Sequence, residues 1–412
     1  MKVLYINICS YGSTGNIVRQ LCSRVEASGG QAYLCVPNGR HNRNQYSGDH
    51  IWIGGRISED SHLLLSRLTG YNGCFSVFAT YRFLQKVDQV RPDVIHLHNL
   101  HNSYINLPLL FRHIKKERYS VVWTLHDCWA FTGHCPHFAI AKCEKWKTGC
   151  YSCPQYRFYP KSYVDDSKWM YRLKKKWFTK VEDLTLVTPS QWLADLTRQS
   201  FLKEYSVKIV NNGIDLSVFT PTESDFRKKY RCENKKIVLG VSFGWSLQKG
   251  LDVFIDLTKR LPKNYKIVLV GTDDKTDKQL PENILSVHRT QNQKELAALY
   301  TTADVFVNPT REDNYPTVNM EAIACGTPVL TFRTGGSPEI IDDICGSVVE
   351  CDDMDALERE IIRICEEHPY TEEACLNRAK MFDKNDRLTE YLKMYEEICY
   401  DGTAGKTKEH SV

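Results

Sequence analysis

The chain is predicted to fold as two α/β domains, each a doubly wound parallel sheet covered by helices. Three observations carry that prediction. Its 412 residues exceed what one hydrophobic core usually serves. Short β-branched runs alternate with amphipathic stretches from end to end, the pattern of strand–helix–strand units. The alternation is interrupted near residue 210 by VNNGIDLSVFTPTESD, whose turn formers and polar residues read as an interdomain linker.

In the first half the candidate strands are 2–8, 32–36, 93–98, 120–126 and 183–189; in the second they are 236–243, 265–271, 283–287, 303–309, 328–332 and 347–350. The expected domains are 1–209, with a cysteine-rich insertion at 128–160, and 210–385. Segment 386–400 spaces Leu388, Tyr391, Leu392 and Tyr395 as one apolar helical face, which must pack on something; the first domain is one place for it. Residues 401–412 have nothing to bury and are expected to be disordered.

A hydrophobic fraction of 42% is enough for two cores, and a net charge of +4 argues against a dedicated nucleic-acid binder. MKVLYINICS reads as a first core strand rather than a secretory signal, and no apolar run reaches membrane-spanning length. The expected compartment is therefore cytoplasmic. There the sixteen cysteines stay reduced, mostly packed as small hydrophobes.

Open parallel sheets bind ligands at the carboxyl ends of their strands. The first such loop, CSYGSTGNIVRQL, holds Gly12 and Gly15, which can bring backbone close to a ligand at a helix N-terminus. It lacks the full dinucleotide fingerprint, so a plain strand-to-helix turn explains it equally well. A later loop is REDNYPTVNMEAIACGTPVL, residues 311–330. Pro316 suits the first helical position, leaving the amides of Thr317, Val318 and Asn319 as donors at the positive end of a helix dipole. Glu321 shares a helical face with Thr317, and Asp313 precedes the helix. Acids on either side of an anion site suit hydroxyl donors, hence a ligand of the form sugar, diphosphate, ribose. The alternative is a solvated acidic loop and a glutamate that merely favours the helix dipole.

These residues resemble the family 4 retaining glycosyltransferases of the GT-B fold, two Rossmann-like domains facing across a cleft. DNYPTVNMEAIACGTPV matches their signature of two acids eight apart, with Asp313 in the first acidic place; NNGIDLSVF, KGLDVFIDL, ELAALYTTADVFVNPT and GGSPEIID follow the family's order. WTLHDCWAFTGHC, CEKWKTGCYSCPQ and GSTG narrow the resemblance to bacterial polysaccharide-assembly enzymes of the colanic-acid type. The resemblance implies that Glu321 holds the ribose hydroxyls, Asp313 the transferred sugar, and the 317–319 amides with Lys249 the diphosphate. It also implies that His126 faces the donor sugar, and that no divalent metal is needed to stabilise the departing diphosphate. Two departures stand out. Asp313 replaces the usual glutamate, and GVSFGWSLQKG has Trp245 but no arginine before Lys249, so Arg311 or Arg289 is a candidate substitute.

Other constellations remain. Cys135, Cys143, Cys150 and Cys153 form a C-x7-C-x6-C-x2-C set that would close a structural, non-catalytic zinc site or simply pack. His96, His98 and His101 read as a strand ending at a polar cleft more readily than as a metal site. KWMYRLKKKWFTK, 168–180, places Trp169, Leu173 and Trp177 on one helical face with Arg172, Lys174, Lys175 and Lys176 elsewhere. That suits an anionic bilayer or an ordinary surface helix.

The predicted function is a cytoplasmic, membrane-associated retaining hexosyltransferase, acting from a nucleotide diphosphate sugar onto a lipid-linked or oligosaccharide acceptor in cell-surface polysaccharide (exopolysaccharide or capsule) synthesis. Its rivals are a sugar-nucleotide epimerase of the same fold and a zinc-stabilised protein binding nucleic acid or a partner.

Overall fold

The computed structural model describes residues 1–39, 42 and 50–408, with side chains as far as Tyr400. It divides into two compact units, Met1–Val210 with the end of the chain from Leu388, and Asn211–Arg387.

The first unit is built on a seven-stranded sheet: β1 (Lys2–Ile6), β2 (Gln31–Asn38), β3 (His50–Gly55), β4 (Val94–Leu97), β5 (Ser120–Thr124), β6 (Leu184–Thr188) and β7 (Ser206–Ile209). Their spatial order is β3-β2-β1-β4-β5-β6-β7, all parallel. The second unit has six parallel strands: β8 (Lys236–Val241), β9 (Tyr265–Val270), β10 (Ile284–Val287), β11 (Val305–Asn308), β12 (Val329–Phe332) and β13 (Gly346–Val349), ordered β10-β9-β8-β11-β12-β13. The inner strands β1, β4, β5, β11 and β12 are almost wholly buried, because helices cover both faces of each sheet.

All eleven expected strands are present; nine are shorter by one to three residues, β2 is three residues longer, and β13 is shifted by one. The two unforeseen strands, β3 and β7, are the edges of the first sheet. Both are only partly buried: in β3 only Ile53 is buried, and β7 alternates exposed with half-buried residues.

The last helix, Lys384–Lys408, leaves the second unit and returns to the first. Leu388, Tyr391, Met394 and Tyr395 are buried with Val3, Tyr5, Val18 and Leu21. The Tyr395 hydroxyl lies 2.6 Å from His96 Nδ1, and the Tyr391 hydroxyl 3.0 Å from Thr124 Oγ1. The helix is assigned through Lys408, into the segment expected to be disordered; residues 409–412 lie outside the described residues.

In both sheets the strand order reverses direction beside the first strand of the unit, between β1 and β4 and between β8 and β11. Chain leaving adjacent strands at such a point diverges to opposite faces and opens a crevice at their carboxyl ends. These two places are where the candidate site residues gather.

Candidate functional site

In the second unit, β11 ends at Asn308 and runs through the loop 309–316 into the helix Thr317–Ala324. Pro316 caps this helix rather than opening it. The Asn319 amide is not a free donor either, because it bonds to the Pro316 carbonyl at 3.2 Å. The positive helix end is thus carried by Thr317 and Val318. Asn319 serves by its side chain: the carboxamide oxygen accepts from Asn308 Nδ2 at 2.7 Å, tying the helix to β11, and Nδ2 is buried without a partner.

Glu321 sits one turn further along, partly buried, accepting from the Tyr300 hydroxyl at 3.0 Å and from the Thr317 side chain. Burial outweighs these bonds and raises its carboxyl to about 7. Lys249, in the turn after β8, places Nζ 2.6 Å from Asp313 Oδ2, with both side chains about a quarter to a third exposed. The strand reversal therefore joins an ammonium, two carboxylates and a helix N-terminus. The GG of GGSPEIID lies against the same loop, since a Cβ on Gly335, at φ +55°, would stand 1.7 Å from the Asp313 carbonyl oxygen. Only glycine allows that approach.

Arg311 does not substitute for the missing arginine. Its guanidinium is bidentate to Asp252 at 2.8 and 2.7 Å, reaches Asp352 at 2.8 Å and donates to the Leu247 carbonyl. Arg289 is exposed and forms no ion pair among the described residues.

In the first unit the loop after β1 turns at Gly12, φ +70°, where an added Cβ meets nothing within 4 Å. Gly15 is different. A Cβ there would lie 2.6 Å from the Ser10 carbonyl carbon, so its smallness serves the packing of helix Gly12–Ala27 on the preceding turn. Asn42, which the sequence did not single out, holds this loop by accepting from Ser10 N at 2.9 Å and donating to the Ile8 and Pro37 carbonyls.

His98, His101, His126, Asp127 and Trp129 line one crevice at the ends of β4 and β5. His126 Nε2 is 3.0 Å from His98 Nδ1, and His98 Nε2 is buried without a partner. Burial lowers His126 to about 4 and His98 well below the ordinary imidazole range, so both rings are neutral at pH 7. His96 is a core histidine, held by Tyr395 and by Thr124 at 2.8 Å. Burial alone would raise Asp127, but His101 at 3.0 Å and the Trp129 amide at 2.8 Å prevail and bring it to about 2. Tyr159 completes this chain, its hydroxyl 2.9 Å from His101 Nδ1. Of this chain only His101 stood out in the sequence, as part of a strand ending at a polar cleft.

Cys135, Cys143, Cys150 and Cys153 line a single small cavity. Cys150 Sγ accepts from the Gly133 amide at 3.1 Å; Cys135 and Cys153 share a hydrogen bond that lowers the Cys153 thiol and raises Cys135. A four-sulfur zinc site sets its sulfurs roughly 3.8 Å apart. Among the described residues only Asp274, Asp277 and His288 bring three ligand atoms within 4.8 Å of one another, and there His288 is already paired with Asp277.

The basic helix spans Ser167–Phe178 and faces otherwise than expected. Lys174 is fully buried, donating to the Trp129 and Thr132 carbonyls at 2.7 and 3.1 Å with Nζ 3.3 Å from the Trp129 ring centroid. Trp169 is exposed instead, with Arg172, Lys175 and Lys176. No helix among the described residues is long and apolar enough to cross a membrane.

Two Rossmann-like domains, with an ammonium, two carboxylates and a helix N-terminus at the strand reversal of the second, are the architecture of the GT-B glycosyltransferases. Residues 14–218 match the family described as Glycosyltransferase Family 4, and residues 222–387 match Glycosyl transferases group 1. The chain belongs to these glycosyltransferases. Among its relatives is the putative colanic acid biosynthesis glycosyl transferase WcaC of Escherichia coli K12, 26% identical over 361 residues, 85% of this chain and 87% of that protein. In fold the chain resembles sucrose-phosphate synthase from Thermosynechococcus elongatus (TM-score 0.70, 17% identity, 96% of this chain and 98% of that one). It also resembles Anabaena Alr3699/HepE crystallised with UDP (TM-score 0.66, 15% identity, 96% and 100%).

Proposed function

We propose that this glycosyltransferase moves a hexosyl unit, with retention and without a divalent metal, from a nucleotide diphosphate sugar to a lipid-linked or oligosaccharide acceptor in bacterial cell-surface polysaccharide synthesis at the cytoplasmic side of the membrane. The observation that carries it is the convergence of Lys249, Asp313, Glu321 and the open end of helix Thr317–Ala324 at one strand reversal. Glu321 accepts from ribose hydroxyls. Asp313 turns from Lys249 to the transferred sugar, while the ammonium and the Thr317 and Val318 amides receive the diphosphate. The bond from the anomeric carbon to the β-phosphate oxygen breaks, the acceptor oxygen bonds to that carbon on the same face, and its proton passes to the departing diphosphate. In the first unit the neutral His126 is the hydrogen-bonding partner for the sugar. The names of relatives support the class of donor and pathway, one a structure with UDP and one a colanic acid enzyme.

A thermal-shift panel of nucleoside diphosphates and their sugars tests the donor site, since saturating ligand stabilises by about 2–4 kcal/mol. No shift with any of them overturns it. Product stereochemistry by NMR tests retention, and activity in EDTA tests metal independence.

The cysteine insertion is proposed to hold one structural zinc ion on Cys135, Cys143, Cys150 and Cys153. Its support is their shared cavity and the hydrogen bond that the Gly133 amide donates to Cys150 Sγ, the kind of contact a thiolate accepts; the sulfurs would have to draw closer to bind. Elemental analysis far below one zinc per chain returns them to packing.

A further inference from the structure

Helix Arg56–Thr69 of the first unit is built inside out. The residues it buries are His62 and Ser66, while Ile57 (86% exposed), Leu63, Leu64 (56%), Leu65 and Leu68 (52%) face solvent. At the α-helical turn angle, Ile57, Leu64 and Leu68 fall within about 40° of one another. Its underside is polar by construction: His62 Nδ1 meets Ser76 Oγ at 2.8 Å, and Phe75 N donates to His62 Nε2. Folding of this unit therefore gives the aliphatic stripe nothing to pack on.

The stripe continues on both sides. The next helix, Val77–Val90, exposes Val77, Phe78 and Tyr81 from its first turns, and a groove runs between the two helix starts. At the other end, Tyr163 N and Ser162 Oγ donate to the Arg67 carbonyl, which brings exposed Tyr163 and Val164 beside Leu68. An exposed apolar surface of this extent marks a place of contact.

Charge identifies the occupant. The charged side chains lining the groove are Arg82 and Lys86, both cationic. Arg82 lies 4.3 Å over the Phe78 ring, and Lys161 5.6 Å from the Tyr163 ring centroid. Of the helix's own acids, Glu59 is held against Gly39 and Asp60 pairs with Arg56 at 3.4 Å. A second copy seated isologously would bring these cations face to face. The undescribed residues 40, 41, 43–49 and 409–412 (RH, RNQYSGD, EHSV) are too polar in composition to cover leucines. We propose that this face, and not the helix Ser167–Phe178, docks the enzyme on an anionic lipid surface, with the aliphatic residues in the acyl boundary and the cations among the headgroups. It stands independently of the donor site.

The test is co-sedimentation of the full chain with phosphatidylcholine vesicles carrying about a third phosphatidylglycerol, set beside pure phosphatidylcholine. The parent should bind the anionic vesicles, and a Leu64→Asp, Leu68→Asp double variant should lose about tenfold or more of that affinity. Both positions are exposed, so the variant should keep its melting temperature and its shift with nucleotide. Lys175→Gln with Lys176→Gln should bind more nearly as the parent does. Three results overturn the proposal: a parent that ignores anionic vesicles, a leucine variant that binds unchanged, or a parent dimer that the leucine variant splits.

Discussion

The two strand reversals share one topology and opposite electrostatics. At the first, His98 and His126 are held neutral by burial, and the ionised Asp127 is occupied by His101 and the Trp129 amide. At the second, a partly exposed ammonium and carboxylate pair with each other, near an acid poised about neutrality and an open helix end. The sheet supplies the crevice; the loop residues decide what it recognises. Neutral donors and acceptors suit hydroxyls, whereas mobile charge and free amides suit a diphosphate.

The largest expected effects come from exchanging these roles. Lys249→Ala and Glu321→Gln should each weaken a bound nucleoside diphosphate by about 10- to 100-fold, from the loss of charged hydrogen bonds. His126→Ala should leave that affinity near the parent's and lower transfer by about 100-fold. Asp313→Asn should resemble His126→Ala, sparing the free nucleotide and slowing turnover. Calorimetry with the nucleotide beside transfer rates separates these cases. A His126 variant that loses nucleotide binding would collapse the division between the two sites.

A smaller effect is expected where the insertion meets the helix Ser167–Phe178. Lys174→Gln should destabilise the first unit by about 1–3 kcal/mol, because its ammonium satisfies two buried carbonyls. Lys175→Gln and Lys176→Gln, both exposed, should be neutral. Chemical denaturation read by tryptophan fluorescence reports on this unit, which holds seven of the eight tryptophans. Equal effects at all three lysines would put Lys174 back on the surface.

Those lysines show where sequence stops being informative. Three in a row are equivalent by composition, and only the tertiary position of Trp129 selects the first of them, Lys174. Likewise Arg311 looked available beside the acidic loop, yet its partners Asp252 and Asp352 are 59 and 41 residues away. Local signals were readable where the chemistry is local: Pro316, Thr317 and Glu321 stand on one turn and its cap, and the eleven expected strands, including the short edges β10 and β13, carry their own apolar or β-branched runs. The leucines of Arg56–Thr69 mislead in the other direction, since an apolar stripe normally predicts burial. The amide of Asn319 was misassigned because whether a first-turn amide is free depends on the cap's carbonyl, a detail of ψ at Pro316 that no residue pattern reveals.

The most delicate consequence is in stability against pH, where the two units should slope oppositely. His62 and His126 fold with imidazoles lowered to about 4 by burial. The unfolded chain then binds more protons between about pH 6.5 and 4, so the first unit loses stability as pH falls through that window. Glu321 is raised to about 7, so the folded second unit binds the extra proton between about pH 4.5 and 7 and loses stability as pH rises. Glu321→Gln removes that liability. At pH 8 it should stabilise the second unit by on the order of 1 kcal/mol, discounted for partial exposure, and at pH 5 hardly at all. Hydrogen exchange of the β11 and β12 amides measures this unit separately from the fluorescence of the first. A stability gain in Glu321→Gln at pH 8 that accompanies loss of nucleotide binding would identify the carboxylate as a charge kept against folding for its ligand. Equal stability at both pH values would mean that Glu321 is already well solvated, and its match to ribose would then lose the desolvated setting that gives it strength.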